Sequence, residues 1–176
     1  MLSSIVNTLL NGGIVVMRTD TVYGVLASAS SQKAVEKVYT VKNRATDKQC
    51  ILLITNPRSM SAHSEIVTSH TNASERPTSI VIPVSDEPSW VTRGGTDIAY
   101  RVVRRGLLKE VIEAVGPLLA PSANPEGLPP AHNIEEARQY FGDSVDLYVD
   151  GGQVPPEVAP SNLVRINSDG SVDQLR

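Results

Sequence analysis

The sequence predicts an α/β (α+β) domain built on a twisted mixed sheet flanked by helices. Apolar segments of strand length alternate with segments of helical periodicity along the chain. Several strand candidates stand too close together for a helical crossover, so some neighbours must be antiparallel. The chain has 176 residues, the size of one domain with a core of its own, and residues 1–176 are read as a single domain.

Leu2, Ile5, Val6, Leu9 and Leu10 recur at helical spacing, with Ser3 or Ser4 as N-cap and Gly12-Gly13 as the stop. Ile14 to Met17 reads as a short strand and Arg18 to Gly24 as a polar turn. Ser31 caps a second helix, in which Ala34, Val35, Val38 and Val41 share a face and which ends near Asn43. Cys50 to Ile54 is continuously apolar, as a strand buried on both faces would be. Ile80 to Val84, bounded by Pro83, and Ile98 to Val103 are two more strands. Leu107 to Val115 is helical after Gly106, and Gly116-Pro117 breaks it before the short run Leu118 to Ala120. Asn133 caps a helix over Ile134 to Phe141, with Glu135 and Glu136 in its first turn, where the helix dipole favours them. Strands at Leu147 to Val149 and Leu163 to Ile166 and a turn at Ser168-Asp169-Gly170 follow. Arg58 to Pro77, rich in Ser, Thr, His and Asn, carries no readable pattern, and there is no internal repeat.

Sixteen basic against 19 acidic residues give a net charge of -3, which argues against a uniformly basic nucleic-acid coat. The balance hides an asymmetry. Lys33, Lys37, Lys42, Arg44 and Lys48 crowd one segment and Arg93, Arg101, Arg104, Arg105 and Lys109 another, while seven acids gather between Glu126 and Glu157 against Arg138 alone. The single cysteine, Cys50, makes neither an internal disulfide nor a cysteine zinc cluster, as expected in a reducing compartment. Met1 to Gly13 lacks the basic start and apolar stretch of a signal peptide, and the apolar runs are too short to span a membrane, so a cytoplasmic protein is expected.

The sequence contains no G-x-x-x-x-G-K-S/T loop, no G-x-G-x-x-G after a strand and no G-x-S-x-G elbow, and His63, His70 and His132 lack metal-ligand spacing. No metal site is expected. Three polar constellations remain. Arg18-Thr19-Asp20-Thr21-Val22-Tyr23-Gly24 places two hydroxyls and a carboxylate at a strand end, as a small-ligand site or as a turn satisfying its own backbone. Lys42-Asn43-Arg44-Ala45-Thr46-Asp47-Lys48 puts three cations at a helix-to-strand junction, to grip a triphosphate or to complement a helix dipole. Ala120-Pro121-Ser122-Ala123-Asn124, followed by Gly127, offers a hydroxyl and an amide to a phosphate or carboxylate.

In this order the motifs resemble the YrdC/TsaC family of threonylcarbamoyl-AMP synthases. Its P-T-D/E-T-V-Y-G, K-x-R-x-x-x-K, W-P-G-P-x-T, S-A-N-x-S-G and P-S-T/N segments are matched by Arg18 to Gly24, Lys42 to Lys48, Ser74 to Ser79, Ser122 to Gly127 and Pro160-Ser161-Asn162. Arg101 lies in a segment similar to the family's A-V-R-V strand. The resemblance implies a positively charged cavity and condensation of L-threonine, bicarbonate or CO2, and ATP into L-threonylcarbamoyl-adenylate and pyrophosphate, with Mg2+ accompanying the nucleotide. It further implies that the product serves tRNA modification through a downstream threonylcarbamoyl transferase complex, with tRNA binding as an added possibility. The catalytic charges would be Lys42, Arg44 and Lys48. Thr21 and Arg101 would hold L-threonine, while Arg44, Lys48, Ser79, Ser122, Asn124 and Ser161 would hold ATP.

This sequence departs from the pattern at Arg18 and Ala45, each in place of Pro, at Glu126 in place of Ser, and through most of Ser74 to Ser79. Such departures keep open a paralogue that adenylates a different carbamate. The basic segments keep open a non-catalytic RNA-binding module, although the seven aromatic residues form no stacking platform in the sequence. The second domain of longer family members is expected to be absent.

Overall fold

The computed structural model describes residues 1–57, 64–74, 76–84, 86–167, 169 and 171–176. Its elements are α1 (Leu2–Leu10), β1 (Val15–Arg18), β2 (Tyr23–Ser28), α2 (Gln32–Lys42), β3 (Leu52–Ile54), α3 (Ser64–Ala73), β4 (Thr78–Pro83), α4 (Ser89–Thr92), β5 (Asp97–Val102), α5 (Leu107–Val115), β6 (Leu118–Leu119), α6 (Ile134–Phe141), β7 (Leu147–Val149), β8 (Asn162–Ile166) and β9 (Val172–Gln174). The strands form one mixed sheet in the order β7-β1-β2-β6-β3-β5-β4-β8-β9. β1/β7, β3/β5 and β4/β8 are parallel, and the other neighbours are antiparallel.

The alternation of side chains along each strand splits the core into two layers. Val15 and Met17 of β1, Leu26 of β2 and Leu53 of β3 pack with Ile5 and Leu9 of α1 and Leu108, Val111 and Ile112 of α5. Val16, Val25, Leu52 and Ile54 face the other way, against Ala34, Val35 and Val38 of α2 and Ile134, Ala137 and Phe141 of α6. The central strands are thus covered on both faces, which is why β3 reads as an unbroken apolar run.

Most expected elements form, with differences that have physical causes. α1 starts at Leu2 with Met1 as its N-cap and no side-chain cap, so neither Ser3 nor Ser4 plays that part. β2 falls across the expected turn and beyond it; all six of its residues are buried, so no polar alternation marks it in the sequence. α3 is built from residues with weak helix preference around the buried Val67, α4 has a single short turn, and β9 is exposed throughout, so none carries a periodic signal. Arg58 to His63, Glu75, Ser168 and Gly170 lie outside the described residues.

Three predicted helix ends form, two of them on the helix that leads into the site. Ser31 Oγ accepts the Ala34 amide at 3.3 Å. At the other end of α2, Asn43 adopts φ 49°, a left-handed conformation that asparagine tolerates better than most residues. The Arg44 amide then reaches back to the Tyr39 carbonyl at 3.0 Å, closing the helix and turning the chain sharply toward β3. At α6, Asn133 Oδ1 accepts the Glu136 amide at 2.8 Å, while the Glu136 carboxylate accepts Asn133 Nδ2 at 3.0 Å and the His132 amide at 2.7 Å. Asn133→Ala removes the cap and is expected to cost about 1 kcal/mol, measured by urea unfolding. An unchanged unfolding midpoint would show that the Glu136 carboxylate suffices.

Candidate functional site

The 120–124 segment continues β6 irregularly alongside β2. The Val25 amide donates to Pro121 O at 2.9 Å, the Ala123 amide donates to Tyr23 O at 2.7 Å, and Gly24 bridges Ser122. A Cβ on Gly24 would stand 3.1 Å from Thr19 Cγ2 and 3.3 Å from Pro121 O, so glycine allows the two segments to meet this closely. Beside this junction a cavity of about 460 Å3 opens, within the roughly 300–1,000 Å3 typical of small-molecule sites.

Thr21, Arg44, Arg101, Ser122 and Ser161, five of the residues singled out in the sequence, all line it. They come from five separate segments. Thr21 sits in a turn that satisfies its own backbone: Thr19 Oγ1 donates to Val22 O at 2.6 Å and lies 3.2 Å from both Thr21 Oγ1 and the Thr21 amide. The turn reading therefore holds, and the same turn places Thr21 at the cavity wall. Arg101 is 5 % exposed; one guanidinium nitrogen meets Asp20 Oδ1 at 3.0 Å, while buried Nε has no partner. Burial lowers its pKa, opposed by the Asp20 charge. A cation half-satisfied by protein has capacity for an incoming anion.

Ser79, Asn124, Lys42 and Lys48 are not among the lining residues. Ser79 lies opposite Arg101 in the β4/β5 register, fully buried, with its hydroxyl 2.9 Å from that of Ser161. It orients a lining residue. Asn124 donates to Pro125 O at 2.9 Å and Leu128 O at 2.7 Å and accepts from Ser122 Oγ at 2.6 Å, so it shapes the loop behind Ser122. Lys42 is 2 % exposed: its ammonium donates to Ser122 O at 2.5 Å and to Asn124 O, and its own carbonyl accepts the Glu126 amide at 2.8 Å. Arg44 spends Nε on Lys48 O at 3.1 Å and a terminal nitrogen on Gln49 O at 2.8 Å. Lys48 is ion-paired with Glu126.

Thr19, the second hydroxyl of the Arg18 to Gly24 motif, lines the cavity too, and sequence reasoning passed over Asp97, Arg165 and Arg176, which also line it. Arg165 pairs with Asp97 at 2.8 Å, and Arg176 Nε donates to Ser161 O at 3.2 Å. Arg176 reaches the site only because β9 folds back on β8, and no sequence signal marked β9. Among the described residues no group of three or more His, Cys, Asp or Glu side chains is placed to hold a metal ion. No helix of the described residues is long and apolar enough to cross a membrane.

The family model Sua5_yciO_yrdC, described as "Telomere recombination", matches residues 7–176. The chain is 29% identical over 167 residues to the threonylcarbamoyl-AMP synthase of Pseudomonas fluorescens (strain Pf0-1), covering 88% of this chain and 90% of that protein. It is 30% identical over 153 residues to the threonylcarbamoyl-AMP synthase of Coxiella burnetii (strain RSA 493 / Nine Mile phase I), covering 83% and 82%. In fold it is similar to P. abyssi Sua5 complexed with L-threonine, with a TM-score of 0.89, 24% identity and 99% of this chain covered. The match spans 53% of that Sua5 chain, about half its length.

Burial lowers the pKa of Lys42 to about 8, with the Arg44 charge acting in the same sense. The unfolded lysine, at roughly 10.4, binds more protons between these values, so the stability this group contributes rises with pH across that window. Lys42→Met removes the donor to the Asn124 carbonyl and one of two donors to Ser122 O, which keeps the Asn124 amide at 3.0 Å, and is expected to lower stability by roughly 1–3 kcal/mol. In urea unfolding the gap between wild type and variant widens from pH 7.5 to 10; a gap that narrows would show that the folded ammonium stays charged.

Proposed function

Because the chain belongs to the Sua5/YciO/YrdC family, we propose that it is a threonylcarbamoyl-AMP synthase, joining L-threonine, bicarbonate or CO2, and ATP into L-threonylcarbamoyl-adenylate with release of pyrophosphate. The observation that carries this reading is the convergence of Thr21, Arg44, Arg101, Ser122 and Ser161 on one cavity. Synthases so named match more than four fifths of the chain.

In this reading the amine of L-threonine forms a nitrogen–carbon bond to CO2, or to bicarbonate with loss of water. A carbamate oxygen then attacks the α-phosphorus of ATP. The bond from that phosphorus to the bridging oxygen breaks, and pyrophosphate leaves with the electron pair. Such a displacement needs alignment and charge stabilisation rather than a protein nucleophile. Arg101 supplies a buried cation for the threonine carboxylate, with Thr21 on the same wall. Arg44 and Lys48 offset the triphosphate and the departing pyrophosphate. Ser161 donates its hydroxyl to the phosphates or carbamate while accepting from Ser79, and Ser122, whose hydroxyl otherwise donates to Asn124 Oδ1, turns that proton to the ligand when it binds.

Lys42 acts at one remove, holding the loop that carries Ser122. With no protein cluster of three ligands among the described residues, Mg2+ fits as a companion of the nucleotide, bound through phosphate oxygens and water, where it would spread triphosphate charge. The adenylate would pass to a threonylcarbamoyl transferase complex that modifies tRNA, consistent with a cytoplasmic enzyme.

Pyrophosphate release is expected only when ATP, bicarbonate and L-threonine are all present. Threonine-independent release would overturn the reading. Arg44→Ala and Lys48→Ala are each expected to lower turnover by about a hundredfold or more while both variants still unfold cooperatively in urea, Arg44→Ala at a lower midpoint because it loses two bonds to backbone carbonyls. Near-normal rates in both would place the triphosphate elsewhere.

A further inference from the structure

Glu126 replaces the serine expected after Asn124 and Pro125 in the resembling motif, and it points at the machinery rather than away from it. Its carboxylate takes the Lys48 ammonium with one oxygen and the Ala45 amide, at 2.9 Å, with the other. Its backbone amide is anchored on Lys42 O at 2.8 Å. The carboxylate is therefore held at both ends against the loop that carries Arg44 and Lys48. The Lys48 and Ala45 hydrogen bonds together hold its pKa below the usual carboxylate value, so it is ionised at neutral pH.

Two anions cannot take the same ammonium at full strength. We propose that Glu126 is an internal counter-anion that occupies Lys48 when no nucleotide is bound and must surrender it to the triphosphate, which makes it a residue that sets nucleotide affinity. This rests on the triphosphate reading above. Lys48 is half exposed on a four-carbon stem, so it can swing from one acceptor to the other; Arg44, tied to two backbone carbonyls, has less freedom. Each swing exchanges one charge-assisted contact for another. Glu126 thus weakens ATP binding and, by retaking Lys48, favours the departure of pyrophosphate.

The test is ATP binding by titration calorimetry to wild type, Glu126→Gln, Lys48→Gln and the double variant, with the KM for L-threonine measured alongside. Glu126→Gln is expected to bind ATP about tenfold more tightly with an unchanged KM for L-threonine, and the gain is expected to vanish in the Lys48→Gln background. Equal or weaker binding by Glu126→Gln while wild type binds ATP would overturn this proposal and leave the triphosphate reading standing. A gain that persists without Lys48 would also overturn it, since plain repulsion of the phosphates would then suffice. Absence of ATP binding in all four proteins would remove the triphosphate reading and this one with it.

Discussion

The site depends on one buried cation. Lys42 ends α2, and its ammonium crosses to the carbonyls of Ser122 and Asn124 while its own carbonyl holds the Glu126 amide. A single residue so tied fixes the distance between the loop that carries Arg44 and Lys48 and the loop that carries Ser122. Carbonyls buried with a cation are well satisfied, and a buried cation with only carbonyl partners is costly to move, so the arrangement is stiff as well as stable. Its cost shows in the lowered pKa of the lysine.

Arg101 applies the same economy at the other side of the cavity. Asp20 neutralises part of its charge and sets the angle of the guanidinium, while Nε remains buried without an acceptor. A fully paired arginine would have little reason to take a ligand, and an unpaired one would be expensive to bury. The half-paired state lies between these limits, and it leaves a donor for the carboxylate proposed to bind there. Ser161, just before β8, extends the polar wall without adding charge, and Ser79 on β4 holds its hydroxyl from behind.

The layered sheet was legible because local rules and tertiary packing agree in most of its strands and helices. Cap residues Ser31 and Asn133, the breaker Gly116-Pro117 and the apolar run around Leu53 each state in a few residues what the fold then does. β2 was illegible because a strand buried on both faces with Gly24, Ala27 and Ser28 in it has neither alternation nor a strongly apolar run. The site residues were legible in type but not in part: Lys42 and Asn124 stood out as ligand groups, yet their hydrogen bonds are spent within the protein.

By itself the sequence determined which residue types stand at each strand and helix end, and hence the ordered motifs, the alternating elements and the chemistry on offer. It left undecided which polar groups face the cavity and which hold the wall. That division belongs to the tertiary structure, because a side chain's free hydrogen-bonding capacity is what remains after its neighbours in space have taken theirs. Arg176 joins the site through the return of β9, Lys42 leaves it for two carbonyls, and Glu126 meets Lys48 across 78 positions of chain. Distances of that kind are set by packing, and no local pattern encodes them.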